Sequence, residues 1–118
     1  MTSYIPVAEI TVKQLGEQLR QPNASAPVQL VDVREPEEWA IARLDGFINL
    51  PLSQFPTWSE QIHVHLDPQV ETIVLCHHGI RSAQLCQWLL HQGFSQVKNV
   101  RGGIDAYADY VDRSIPRY

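Results

Sequence analysis

The stretch of the chain that most constrains its fold is a short apolar run at residues 72–75, Thr-Ile-Val-Leu. Its β-branched composition predicts a strand, and a strand without polar alternation is typical of a parallel sheet covered on both faces. A loop and an amphipathic helix over residues 82–92 follow directly, and Gly93 is placed to end that helix in the left-handed conformation. This order predicts one unit of a parallel α/β sheet.

Extended and helical patterns alternate along the rest of the chain in the same way. Further strands are predicted at residues 28–33, 47–50 and 97–100, and further helices at residues 12–20, 36–39, 53–66 and 104–111. Thr11 and Gln14 have the spacing of a capping box at the start of the first helix. A turn-rich segment at residues 21–27 separates two elements rather than two domains. We therefore predict an α/β fold with a mainly parallel sheet.

Composition narrows the class of protein. The length of 118 residues and the hydrophobic fraction of 44% predict one globular domain over residues 1–118. The formal net charge of −4 argues against a nucleic-acid partner, because that class carries a basic excess. No stretch reaches the roughly 18 apolar residues of a membrane span, and the start lacks the apolar core of a secretory signal. We expect a soluble, cytoplasmic protein with reduced thiols and no membrane partner.

The loop after the 72–75 strand carries the residues best suited to chemistry. Cys76 lies at the carboxyl end of a parallel strand, where ligands bind in open α/β sheets. The unpaired N–H groups and positive dipole end of the next helix favour an anion there, first the thiolate and then the species it attacks. Arg81 supplies a cation, and Gly79 lets the turn close with a positive φ. Ser82 is predicted to cap the helix, with a hydroxyl that could also reach the anion. Together these features favour a reactive thiol over an inert core cysteine.

The loop resembles the active-site loop of rhodanese domains, Cys-x-x-Gly-x-Arg-Ser/Thr. Two other stretches agree with that family in order and spacing: Asp32-Val33-Arg34 with Glu38-Trp39 and Gly46 to Pro51, and Gly102-Gly103 with Ala106-Tyr107. The resemblance implies a central five-stranded sheet and sulfurtransferase activity. In such a reaction the cysteine takes a sulfane sulfur from a donor such as thiosulfate and passes it to cyanide, a thiol or a protein. No metal and no organic cofactor is implied.

The resemblance also assigns roles by position. Cys76 is the nucleophile and Arg81 is the loop arginine of the family. The anion cradle is assigned to the backbone of the remaining loop residues, His77, His78, Gly79, Ile80 and Ser82. Asp32 and Arg34 are expected to make structural hydrogen bonds near a strand end. The chain departs from the family at Ala42-Arg43-Leu44, where Gly-His-Ile is usual, and Arg43 is expected on the surface.

Two alternative functions stay open. Some rhodanese-like domains are non-catalytic binding or regulatory modules. Related cysteine phosphatases and arsenate reductases have one more residue between cysteine and arginine than the four between Cys76 and Arg81. The shorter loop suits a sulfur atom better than a phosphate.

The histidines and the second cysteine invite a metal interpretation. His63, His65, His77 and His78 match no known spacing of zinc ligands, so we expect no metal site. Cys86 lies on an apolar helix face, which favours a place in the core over a role as a resolving thiol.

Overall fold

The computed structural model describes residues 4–21 and 26–118, which form one sheet with helices on both faces. Residues 22–25 of the predicted turn-rich segment lie outside the described residues. The strands are β1 (Ala8–Ile10), β2 (Val28–Asp32), β3 (Ile48–Asn49), β4 (Glu71–Leu75) and β5 (Val97–Val100). The helices are α1 (Val12–Leu19), α2 (Pro36–Ile41), α3 (Phe55–Trp58), α4 (Ile62–His65), α5 (Ile80–His91) and α6 (Gly103–Tyr110).

The five strands run parallel in the order β1-β5-β4-β2-β3. This confirms the predicted α/β class and the five-stranded sheet. Asp32 pairs with Leu75, and Val74 pairs with Asn99. The carboxyl ends of β2, β4 and β5 therefore meet at one edge of the sheet, which brings together loops that lie far apart in the sequence.

Strand β4 has an apolar core on each side, because its side chains alternate between the two faces of the sheet. Val74 packs into the core that α3, α4 and α5 cover, and Ile73 and Leu75 pack into the core that α1 and α6 cover. All three side chains are fully buried. Burial on both faces explains the absence of polar alternation in this run.

The predicted helix over residues 53–66 is wrong as a single element. The segment forms α3 and α4, each next to a 3₁₀ turn, Leu52–Gln54 and Ser59–Gln61. Pro56 lacks a backbone N–H, and the indole N–H of the buried Trp58 donates to the carbonyl oxygen of Pro51 at 2.8 Å. Strand β1 was not predicted, because two of its three side chains are exposed and it offers no apolar run.

Helix starts show one confirmed and one wrong prediction. The capping box of α1 is present, with Thr11 and Gln14 exchanging side chain-to-backbone hydrogen bonds of 3.0 and 3.1 Å. Helix α5 begins two residues earlier than predicted, with Gly79 as its N-cap residue. Ser82 therefore does not cap the helix; it lies in the first turn and is fully buried. In the described ranges, 4–21 and 26–118, no helix has the length and apolar content to cross a membrane.

Candidate active site around Cys76

The thiol of Cys76 lies directly after β4, and only 1% of the residue is exposed. Its Sγ accepts a hydrogen bond from the backbone N–H of Gly79 at 3.0 Å and from the Ser82 hydroxyl at 3.2 Å. Gly79 has a φ of 95°, as predicted, which turns the backbone back toward the cysteine. The sulfur is therefore within hydrogen-bond distance of one backbone N–H group and one hydroxyl.

The start of α6 holds the cysteine loop in place. The backbone N–H of Ile104 donates to the carbonyl oxygen of Cys76 at 2.9 Å, and that of Asp105 donates to the carbonyl oxygen of His77 at 3.1 Å. Gly103 permits this approach, because a Cβ there would lie 2.5 Å from the Cys76 carbonyl oxygen. A planar trans peptide directs its N–H away from its carbonyl. Because the carbonyl groups of Cys76 and His77 face α6, the N–H groups of the same two peptides point away from α6.

Asn99 on β5 is a site residue that sequence reasoning missed. It is 3% exposed, and its Nδ2 donates to the carbonyl oxygen of Gly79 at 3.0 Å. Its Oδ1 accepts from the Ser82 hydroxyl, which also contacts Cys76. The hydroxyl has one proton, so it can donate to Asn99 beside a protonated thiol or to sulfur beside a thiolate. The available signal was that Asn99 shares one face of the predicted strand with the apolar Val97, because side chains two positions apart lie on the same side of a strand.

Arg81 does not carry a free positive charge into the site. Its guanidinium is paired with the Glu38 carboxylate, with Nη1–Oε1 and Nη2–Oε2 distances of 2.6 and 3.0 Å. The hydrogen bonds that Arg81 donates to Glu38 raise the pKa of Arg81, and the Coulombic interaction with Cys76 adds to this rise. Arg81 therefore lies within electrostatic reach of the sulfur, but a carboxylate compensates its charge.

Glu38 and Tyr118 are two further residues that sequence reasoning did not place in the site. The Tyr118 hydroxyl donates to Glu38 Oε2 at 2.8 Å and accepts from Arg34 Nη1 at 2.7 Å. Hydrogen bonding from Arg81 lowers the pKa of Glu38 to about 2. Burial raises the pKa of Tyr118 to about 12, so its hydroxyl keeps its proton at neutral pH.

The buried pair of Asp32 and Arg34 is structural, as expected. Both side chains are 0% exposed, and Arg34 Nη2 lies 2.8 Å from Asp32 Oδ2. Arg34 also donates to the carbonyl oxygen of Ala42 at 2.6 Å. Burial opposes the charge of Arg34, but hydrogen bonds with Asp32 and Tyr118 raise its pKa. This network connects the end of β2 to α2.

The two loop histidines differ in exposure. The His78 side chain is 60% exposed, whereas His77 is half-buried between the rings of His78 and Tyr118. Both stacking distances are 4.0 Å between ring centroids, and the planes of His77 and Tyr118 differ by 10°. Burial, together with the charge of His78, lowers the pKa of His77. Ile80 is also on the surface, at 71% exposure.

His77, His78 and Asp105 could each offer a metal ligand, and their ligand atoms lie within 4.8 Å of one another. The two imidazole rings stack with an interplanar angle of 27°, so their in-plane lone pairs do not converge on one point. Arg117 also binds Asp105 through two hydrogen bonds of 3.1 and 3.2 Å. This cluster therefore acts as a stacking and ion-pair group in the structure, and His63 and His65 are not part of it.

The second cysteine lies in the core, as expected. Cys86 is 0% exposed, and burial raises the pKa of its thiol to about 12. Arg43 lies in the stretch that departs from the family pattern. Its side chain is exposed, and its Cζ atom lies 5.4 Å from the ring centroid of Trp39. Its expected surface position is confirmed, and no contact of Arg43 with the cysteine loop is observed in the described part of the chain.

Comparison with known proteins agrees with this geometry. The model of the rhodanese-like domain family matches residues 11–110. A rhodanese-like/PpiC domain-containing protein 12, chloroplastic, of Arabidopsis thaliana is 48% identical over 113 residues, which cover 96% of this chain but 38% of that protein. A sulfurtransferase of Allochromatium vinosum is 34% identical over 86% of this chain and 89% of its own length.

A solved structure has the same architecture. The crystal structure of a rhodanese-like domain protein from Staphylococcus aureus matches with a TM-score of 0.74 and 27% identity, and the match covers 95% of this chain and 99% of that one. The family model, the relatives and the solved structure all point to the same family. The chain belongs to the rhodanese-like domain family, and its relatives include proteins named sulfurtransferases.

Proposed function

We propose that this chain moves a sulfane sulfur from a donor such as thiosulfate to a thiophilic acceptor through a persulfide on Cys76. The observation that carries the proposal is the pair of hydrogen bonds that Gly79 and Ser82 direct at the Cys76 sulfur. They support an ionised nucleophile and then an anionic persulfide at the same position. A reducing compartment such as the cytoplasm suits this chemistry, because Cys76 and Cys86 are both free thiols.

The reaction has two balanced halves. In the first, the thiolate of Cys76 attacks the outer sulfur of thiosulfate; a sulfur–sulfur bond to the cysteine forms, the bond within thiosulfate breaks, and sulfite leaves with the electron pair. In the second, cyanide, a small thiol or a protein thiol attacks the outer sulfur of the persulfide, and Cys76 leaves as a thiolate. No external oxidant or reductant is needed.

The other loop residues have supporting roles in this proposal. Arg81 pairs with Glu38 at the rim of the sulfur site and compensates its charge, so that the carboxylate does not oppose an anionic sulfur. The backbones of His77, His78 and Ile80 complete the turn between the strand and the helix. Asn99 holds both Gly79 and Ser82 and therefore acts as a positioning residue.

The two alternative functions have less support. A binding module does not need a buried thiol that accepts two hydrogen bonds. A phosphatase needs its loop arginine for the oxyanion, whereas Arg81 is paired with Glu38. Hydrolysis of an aryl phosphate without sulfur uptake would favour the phosphatase.

Mass spectrometry after incubation with thiosulfate tests the proposal. We expect the wild-type chain and Cys86→Ser to gain one sulfur atom, and Cys76→Ser to gain none. The added sulfur should be lost on addition of cyanide, with formation of thiocyanate. If neither thiosulfate nor a small-molecule persulfide loads the wild-type chain, the binding module is the better interpretation.

A further inference from the structure

The Glu38 carboxylate is held in place by a full set of hydrogen bonds. Oε1 accepts from Arg81 Nη1 at 2.6 Å and from the backbone N–H of Glu35 at 3.0 Å. Oε2 accepts from Arg81 Nη2 at 3.0 Å and from the Tyr118 hydroxyl at 2.8 Å. Four hydrogen bonds fill the lone-pair directions of a carboxylate. Glu38 is therefore fixed in position and neutralises the charge of Arg81 at the site.

Tyr118 connects this carboxylate to the buried core of the site. Its hydroxyl accepts from Arg34, whose guanidinium is fixed by Asp32, and donates to Glu38. Its ring stacks on His77, the residue that follows Cys76. One side chain thus orients Glu38 and packs against the cysteine loop.

The arginines around the loop are each compensated by a carboxylate. Arg81 pairs with Glu38, and the buried Arg34 pairs with Asp32. Arg117 pairs with Asp105, at the side of the exposed His78. A thiolate on Cys76 then adds one negative charge to a neutral set of pairs. A dianion that approaches this sulfur meets net repulsion, whereas an uncharged ligand does not.

We propose that Glu38, oriented by Tyr118, is a specificity-determining residue that selects a thiol-bound hydropersulfide over a dianionic sulfur donor. The inference rests on the sulfur transfer proposed above and names the class of sulfur donor. The Cys76 thiolate attacks the terminal sulfur of R–S–SH. A sulfur–sulfur bond to Cys76 forms, the bond within the donor breaks, and the donor leaves as the thiolate R–S⁻. The proton stays on the transferred sulfur.

Steady-state kinetics with two sulfur donors test this inference. Thiosulfate is the dianionic donor, and the hydropersulfide of 2-mercaptoethanol, which carries no carboxylate, is the thiol-bound one. We expect Glu38→Gln to lower KM for thiosulfate and to raise the ratio of kcat/KM for thiosulfate to kcat/KM for the persulfide by roughly fivefold at low ionic strength. The gain should shrink with added salt, because salt screens the interaction of the uncovered Arg81 with the dianion.

Matched variants separate this effect from a change in net charge or in folding. Glu37→Gln removes the same charge from an exposed position of the same helix and should leave the ratio unchanged. Tyr118→Phe keeps the ring on His77 but frees Glu38, so it should raise the ratio by a smaller factor. Tyr110→Phe is its control, since Tyr110 is 79% exposed. Tyr118→Phe also keeps the test available if Glu38→Gln does not fold.

The outcomes distinguish this inference from the proposed function. An unchanged ratio in both Glu38→Gln and Tyr118→Phe, or an equal change in Glu37→Gln, would overturn the role of Glu38 while sulfur loading of Cys76 persists in mass spectra. If neither sulfur donor loads the wild-type chain, the proposed function fails, and the inference fails with it.

Discussion

The backbone N–H of Ile104 donates to the carbonyl oxygen of Cys76 across 2.9 Å, and this bond joins the last helix to the cysteine loop. The contact depends on Gly103, which has a φ of 64°. The position of the Cys76 loop therefore depends on a second loop, which follows the neighbouring strand β5.

Gly103→Ala should destabilise the fold by roughly 2–3 kcal/mol, because the new Cβ would be pressed against the Cys76 carbonyl oxygen in a strained φ region. Urea unfolding measures this change. Gly93→Ala is the matched control, since Gly93 has a φ of 94° but nothing within 4 Å of an added Cβ. Equal losses in the two variants would show that backbone strain alone accounts for the effect.

Ser82→Ala should slow alkylation of Cys76 by iodoacetamide at pH 7 by roughly threefold to tenfold, because the thiolate loses a hydrogen-bond donor. The second-order rate constant is measured in the Cys86→Ser background. Ser95→Ala, at an exposed position, should leave the rate unchanged. An unaltered rate in Ser82→Ala would mean that the hydroxyl serves Asn99 alone.

Arg81→Ala should weaken the use of thiosulfate more than it weakens folding, because it leaves the Glu38 carboxylate uncompensated near the sulfur. We expect at least a tenfold drop in kcat/KM, equivalent to about 1.4 kcal/mol. Arg101→Ala, which breaks an exposed pair with Glu9, is the control for both activity and melting temperature. A loss of stability large enough to explain the loss of activity would contradict a site role.

Acidification should lower the free energy of unfolding, because Glu38 gains a proton. Its pKa is about 2 in the folded chain, against an ordinary value of 4.5, chiefly because Arg81 hydrogen-bonds to the ionised form. A depressed pKa stabilises the fold above about pH 4.5, and this contribution is lost as the pH falls toward 2. Urea midpoints between pH 6 and pH 3 should therefore fall less steeply in Glu38→Gln than in Glu37→Gln. Parallel slopes would contradict the depressed pKa.

Cys86 should stay unreactive toward a thiol reagent in the folded chain at pH 8, because burial raises its pKa to about 12. Titration with Ellman's reagent should count at most one thiol in the native wild type and two in urea. Native Cys76→Ser should then show none. A reactive thiol in native Cys76→Ser would place Cys86 outside the inert core.

Local patterns predicted a large part of the fold. The unbroken apolar run in β4, the capping box at Thr11 and the strand at residues 97–100 all appear where the sequence indicated. Each depends on residues within a few positions of one another. The segment around α3 and α4 failed because Pro56 and the tertiary burial of Trp58 override its mixed helical pattern.

The candidate site likewise contains residues whose roles local patterns predicted and residues whose roles they did not. The spacing of Cys76, Gly79 and Arg81 predicts a reactive loop from the sequence alone, because all three lie close together between a strand and a helix. Of the two roles predicted for Ser82, the helix cap is wrong, whereas the hydroxyl does reach the sulfur.

By itself, the sequence determined the alternation of strands and helices and the loop that carries the thiol, because periodicity and short spacings are local properties. Only the tertiary structure decided that Glu38 covers Arg81 across 43 positions and that Tyr118 reaches Glu38 across 80. Such contacts follow from the parallel register of the sheet and from the way α2 and the last residues fold over its carboxyl edge. No local pattern encodes them.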